Sequence, residues 1–144
     1  MLLSKLQSAL FFEIKANENI TGYDISKAIS AKGLKWSHQQ VYRELPKMPL
    51  NMTYVPQEGK PDKKLYSLTC NHEAYEHNQD LMDTEFLLCY PDVSLTSIHL
   101  EKLEKELELL AEMPEEPVVT YRTSAVKLQI ESLTATLKKV KAND

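Results

Sequence analysis

At 144 residues the chain is long enough for one domain with a core of its own, or for a small domain carrying an extension. Three glycines and few β-branched runs favour helix, and no repeat or low-complexity tract is present. The formal net charge of −4 argues against a nucleic-acid partner only when taken over the whole chain. Residues 1–70 carry ten Lys or Arg against six Asp or Glu, whereas residues 71–144 carry seven against fifteen, so a +4 half is joined to a −8 half. Such asymmetry predicts a basic module at 1–70 that meets an anion and an acidic region at 71–144 with another task.

The opening stretch MLLSKLQSALFFEIKANEN resembles a leader in its apolar content but has no basic start, and Lys5, Gln7, Glu13 and Lys15 interrupt it at helical intervals. It predicts an amphipathic helix over Leu2–Ala16. No apolar run approaches the roughly 18 residues that span a bilayer, so no membrane partner is expected. Cys70 and Cys89 have no paired spacing, which predicts thiols and a reducing, cytoplasmic setting.

After the polar break NEN, Thr21 can cap a second helix with Asp24 in its first turn. Tyr23, Ile25, Ala28 and Ile29 supply its apolar positions, and Lys32-Gly33 its stop. The stretch WSHQQVYRELPKMP then encodes a third helix. Ser37 and Gln40 form a reciprocal capping box, and Val41, Leu45 and Met48 line one buried face. Pro46 has no amide proton, so a helix of about two to three turns should kink or fray near Leu45. Relative to a helix former, an interior proline costs ~3 kcal/mol.

Next, Pro49–Val55 reads as a short strand, and Leu65, Tyr66 and Leu68 as its partner. Gly59 and Pro61 mark the intervening turn, beside Lys60, Lys63 and Lys64. Three helices followed by a hairpin with a basic tip is the order of a winged helix-turn-helix. The acidic half predicts helices: one over 72–90 ended by Pro91, then two leucine stripes separated by PEEP at 114–117. Leu100, Leu103, Leu107 and Leu110 form the first stripe; Val126, Ile130, Leu133, Leu137 and Val140 form the second. Their alternating three and four spacing suits a coiled-coil seam, and an intermolecular one is expected because two such seams exceed what a small core can cover. The expected class is mainly α with a small β-hairpin: an amino-terminal winged helix-turn-helix and a carboxy-terminal helical dimerisation arm.

With TGYDISK at 21–27, SHQQVYRELPKM at 37–48 and PQEGKPDKKLYSLT at 56–69 in place, the amino half resembles the PadR family of bacterial transcription regulators, most of all its AphA-type branch. The resemblance covers about residues 5–70. It implies a dimer that binds pseudo-palindromic double-stranded DNA, usually to repress. Carried onto this sequence, it places the recognition helix at Ser37, His38, Gln39, Gln40, Tyr42 and Arg43, and the wing contacts at Lys60, Lys63 and Lys64.

Chemistry supports those positions independently. Gln39 and Gln40 can pair with an adenine edge, Arg43 with guanine, and the lysines with phosphate. Tyr42 fits either a phosphate contact or a packing role, and His38 either a contact or a plain surface site. Enzyme signatures are absent: there is no GxSxG, P-loop or dinucleotide fingerprint, and His72 and His77 are five apart, not the four of HExxH. Neither cofactor nor metal is implied. A second reading, from Pro46 and the acidic half, is a module that reads no DNA and instead pairs with or titrates a related full-length regulator.

Overall fold

The computed structural model describes residues 1–71 and 75–143. It divides into two units, Met1–Asn78 and Gln79–Asp144. Among the described residues there are six α-helices, a three-stranded antiparallel sheet and a two-residue parallel pairing, so the β content exceeds the single hairpin expected.

In the amino-terminal unit, helix α1 spans Lys5–Ala16. It starts at Ser4, whose Oγ accepts from the Gln7 amide at 3.2 Å while Gln7 Oε1 accepts from the Ser4 amide at 3.0 Å. The SKLQ stretch is thus a capping box, and it excludes Leu2 and Leu3 from the helix. Those two residues form strand β1, paired in parallel with β5 at Glu76–His77. This pairing carries the unit past Cys70 to Asn78.

Leu10 and Ile14 of α1 are fully buried, and the helix packs against α2 (Gly22–Ala31), α3 (His38–Glu44) and β4 (Lys60–Leu68). Two polar ties fix it there. Lys32 Nζ donates to the buried Glu13 Oε2 at 2.7 Å, and Gln7 Nε2 donates to Glu44 Oε2 at 3.2 Å. Helix α2 is capped as expected, Thr21 Oγ1 accepting from the Asp24 amide at 3.1 Å, and it stops before Gly33, whose φ is +82°. Ile25 and Ile29 are buried, but Tyr23 is 56% exposed. Residues two apart on a helix lie about 200° apart around its axis, so Tyr23 cannot share the face of Ile25.

The third helix is short, and a 3₁₀ turn at Leu45–Lys47 follows it with Pro46 in its first turn. Val41, Leu45 and Met48 are all buried, as their spacing predicts. Strand β3 covers Leu50–Gln57 and is eight residues long, not the shorter segment expected. It pairs with β4 through a turn at Gly59 (φ +72°), with an irregularity between Val55 and Gln57 that accommodates Pro56. Strand β2, Ile20–Thr21, adds a third member on the far side of β4. Asn19, at φ +64°, turns the NEN break onto it, its amide donating to the Tyr66 carbonyl at 3.0 Å.

The continuous helix expected over 72–90 is not formed, and the boundary between the two units falls within that stretch. Residues 72–74 lie outside the described ones. The remainder divides into β5, a 3₁₀ turn at Gln79–Leu81 and helix α4 at Thr84–Cys89. Asp83 starts α4 afresh, its Oδ1 accepting from the Phe86 amide at 2.8 Å. Helix α5 (Val93–Ala111) and helix α6 (Pro117–Ala142) pack against each other across the PEEP turn. Leu103, Leu110, Val126 and Leu133 are buried where they meet.

Candidate nucleic-acid interface

The surface is built outward from α3. Its start is held by Ser37 Oγ, which accepts from the Gln40 amide at 3.1 Å, and by Gln40 Oε1, which accepts from the Ser37 amide at 2.9 Å. Val41 and Leu45 anchor the opposite side in the core, leaving His38, Gln39, Gln40, Tyr42 and Arg43 exposed. The cap engages the one acceptor on the Gln40 side chain. A paired contact to adenine needs both the carboxamide oxygen and its NH₂ group, so Gln40 would share its oxygen between the cap and the base. Gln39 has no such commitment among the described residues.

His38 is the middle of a column of rings. It stacks on Tyr23 with centroids 5.7 Å apart and planes within 9°, and on Tyr42 at 6.3 Å and 26°. Lys27 Nζ lies 5.7 Å from the Tyr23 ring centroid. The histidine is therefore part of an ordered aromatic surface joining α2 to α3. Tyr42 in turn packs on Gly22: a Cβ added there would meet Tyr42 Cε1 at 2.6 Å.

Of the three wing lysines, only Lys60 sits at the turn. Lys63 and Lys64 pair with Val55 and Tyr54 in the body of the hairpin. None of the three, nor Arg43, makes an ion pair among the described residues. A groove of about 400 Å³ lies between α3 and the sheet, lined by Thr21, Gly22, Tyr23, Tyr42, Pro46, Lys63, Lys64 and Tyr66. Burial raises the pKa of the Tyr66 hydroxyl above its ordinary value, and the neighbouring Tyr54 and Tyr42 push it the same way, so it remains a hydrogen-bond donor. Sequence placed Thr21 at a helix cap and Tyr66 in a strand, and neither among the site residues. The signal for Tyr66 was its period-two relation to Lys64, which puts both on one face of a strand.

Three helices in order, a capped α3 with one exposed polar face and the adjoining β3–β4 hairpin decide the fold of this unit. It is a winged helix-turn-helix.

No protein-family model matches the chain, and no curated protein matches it. Among solved structures it is similar to Bacillus subtilis PadR crystallised with operator DNA, at 19% identity and a TM-score of 0.42, over 96% of this chain and 99% of that one. It is also similar to smu.1604c from Streptococcus mutans UA159, at 15% identity and a TM-score of 0.37, over 94% and 96% of the two chains.

The second set of expected site residues lies in the carboxy-terminal unit. Leu103, Leu110, Val126 and Leu133 are covered within the chain, while Leu100, Leu107, Ile130, Leu137 and Val140 are half-buried. The stripes thus meet each other first. Apolar surface stands elsewhere on the same hairpin, at Leu109, Met113, Val118, Tyr121 and Leu128, which are 50–73% exposed. Among the described residues no cluster of His, Cys, Asp and Glu could hold a metal ion, and no helix is long and apolar enough to cross a membrane.

Proposed function

We propose that this chain is a dimeric, sequence-specific DNA-binding transcription regulator of PadR type that acts by occupying its operator. The observation that carries the reading is the winged-helix face itself: Gln39 and Arg43 stand exposed on a capped α3, with Lys60, Lys63 and Lys64, none of them in an ion pair among the described residues, on the adjoining wing. Arg43 would read guanine and Gln39 adenine in the major groove, and the lysines would neutralise phosphate. In a two-fold dimer the two α3 helices enter successive major grooves about one helical turn apart, which excludes or recruits other proteins at a pseudo-palindromic site. Repression is the simplest outcome of such occupancy.

The dimer surface we assign is the outer face of α6 with the end of α5, where Tyr121, Leu128 and Leu109 are 73%, 63% and 66% exposed. Half-buried members of the two stripes would form its margin. Burying such side chains contributes about 1.5–3 kcal/mol each, enough to favour association when several act together.

Selection of bound duplexes from a random pool, followed by gel shift at fixed salt, tests the reading. A palindromic consensus is expected. Salt-sensitive binding without any consensus would instead support a partner that titrates a related regulator.

A further inference from the structure

The wing has a second surface, which base reading and phosphate binding leave unused. Strand β3 is the edge of its sheet, in the order β2-β4-β3, and it pairs only with β4 among the described residues. Its outer amides and carbonyls therefore face away from the fold. Edges of this kind are commonly guarded along their length by lysine, glutamate or proline, which discourage pairing with another chain. This one is guarded at its ends. The Leu50 amide is taken by the Met48 carbonyl at 2.9 Å, and Pro56, which has no amide, stands at the irregularity between Val55 and Gln57. Between those ends Asn51–Val55 carries no charge and is exposed throughout, Met52 to 42% and Tyr54 to 54%. The charge of the hairpin lies elsewhere, on Glu58 in the turn and on Lys60, Asp62, Lys63 and Lys64 of β4.

We infer that Asn51–Val55 pairs edge to edge with the same strand of a second copy, and that this contact joins two dimers bound at neighbouring sites on one duplex. The inference rests on the DNA-binding reading and adds a partner to it. Blocked at Leu50 and Pro56, the free edge is centred on Thr53, so an antiparallel two-fold pairing sets Thr53 opposite Thr53 of the second copy. Met52 then lies opposite Tyr54 of the second copy, and Asn51 opposite Val55. Each of these is a favourable neighbour: a thioether beside an aromatic ring, and two threonines side by side. An uncharged strand meets its own copy without repulsion, and every pair occurs twice. Size decides when the contact forms. An edge of this length falls well short of the about 1,200 Å² that a stable interface buries, so free dimers would not associate through it. Two dimers on adjacent sites are already held at high local concentration, and there a weak contact suffices. The lysines that would meet phosphate stand on β4, one strand in from the edge, and do not occupy it.

The test uses the full chain and duplexes that carry its selected site once or twice, the spacing between the two sites being varied base pair by base pair over one helical turn. The quantity read is the cooperativity factor: affinity for the second site of an occupied duplex divided by affinity for a single site. At one helical phase it should reach about 5- to 150-fold, the ordinary range of coupling between sites. It should change little with salt, because the pairing carries no charge, while single-site affinity falls steeply. Thr53→Lys brings like charges together at the centre of the pairing and should return the factor to one, and Thr53→Glu should do the same. An equimolar mixture of the two variants should recover part of the cooperativity, since unlike charges then meet. Single-site affinity of each variant is measured alongside, so that the effect of added charge on the wing is divided out.

A factor near one at every spacing, for a wild type that binds the single site, overturns the wing contact while the DNA-binding reading stands. Cooperativity that both Thr53 variants keep, or that needs another protein on the duplex, gives the edge to a different occupant or to none, and the inference falls. Loss in each variant with no recovery in the mixture overturns the pairing centred on Thr53. A wild type with no affinity for any duplex overturns both readings.

Discussion

The carboxamide oxygen of Gln40 lies 2.9 Å from the amide of Ser37, closing the first turn of α3 from the side chain inward. Gln39, one residue earlier, is exposed, with no such tie among the described residues. The two glutamines therefore differ in what holds them, although the sequence presents them side by side.

Gln39→Ala should relax base preference at one adenine position by about 1–3 kcal/mol with little effect on stability. Gln40→Ala should lower stability by about 0.5–1.5 kcal/mol through the lost hydrogen bond while the consensus remains recognisable. Urea melts and repeated site selection separate the two. A variant at position 40 that keeps its stability but changes the consensus would reverse the assignment.

Pro46 begins a 3₁₀ turn instead of interrupting a regular helix. There the chain is already leaving the α-helix, so Pro46 forfeits at most one bond at the helix end and the full ~3 kcal/mol cost of an interior proline does not apply. Pro46→Asn should change unfolding free energy by no more than about 1 kcal/mol. A gain near the full interior cost would show that α3 is held short by the proline alone.

On the carboxy-terminal hairpin, buried and exposed leucines should respond differently. Leu133, fully buried, should destabilise the unit by about 2–5 kcal/mol when changed to Ala, whatever the oligomeric state. Tyr121→Asp with Leu128→Asp should leave the fold intact and yield monomers with weakened operator binding. Sedimentation velocity and circular dichroism on the same samples decide this; a wild type that sediments as a monomer at micromolar concentration removes the dimer from the proposal.

His99 provides a pH dependence. Its Nε2 is 3.1 Å from Thr84 Oγ1, whose own proton goes to Gln129 Oε1 at 2.6 Å, so the histidine donates to Thr84 and links α5 to α4 and α6. Burial lowers its pKa first, Lys102 adds to the lowering, and Asp83 and Glu106 partly oppose it. With the folded value below the unfolded one, the unfolded chain binds the extra proton as pH falls through the unfolded value, about 6.5. The contribution of His99 to stability should be complete above that pH and decline below it. His99→Gln should remove this part of the slope in melts recorded between about pH 5 and 8.

Much of the amino-terminal unit could be read directly from local chemistry. Ser37 with Gln40, Thr21 with Asp24, and Gly33 set helix ends within a few residues, because a cap is an interaction between near neighbours. The same applied to Ser4 and Gln7, a capping box present in SKLQ but masked by the apolar residues before it. Buried positions at three and four residue steps, Val41, Leu45 and Met48, followed from helical periodicity.

Other features depend on residues far apart in sequence. Strand β2 exists because Ile20 meets Tyr66, and β1 because Leu3 meets His77; two-residue strands have no periodicity to detect. The leucine stripes at 100–110 and 126–140 were visible, but a stripe specifies a face and not its partner, and here Leu103, Leu110, Val126 and Leu133 are covered within their own chain. The groove combines Gly22, Tyr42, Lys64 and Tyr66, brought together by the packing of α2 and α3 beside a β-sheet. Sequence fixes which of these side chains can donate, stack or carry charge, because that is covalent chemistry; their convergence on one site depends on long-range pairing, which no local pattern encodes.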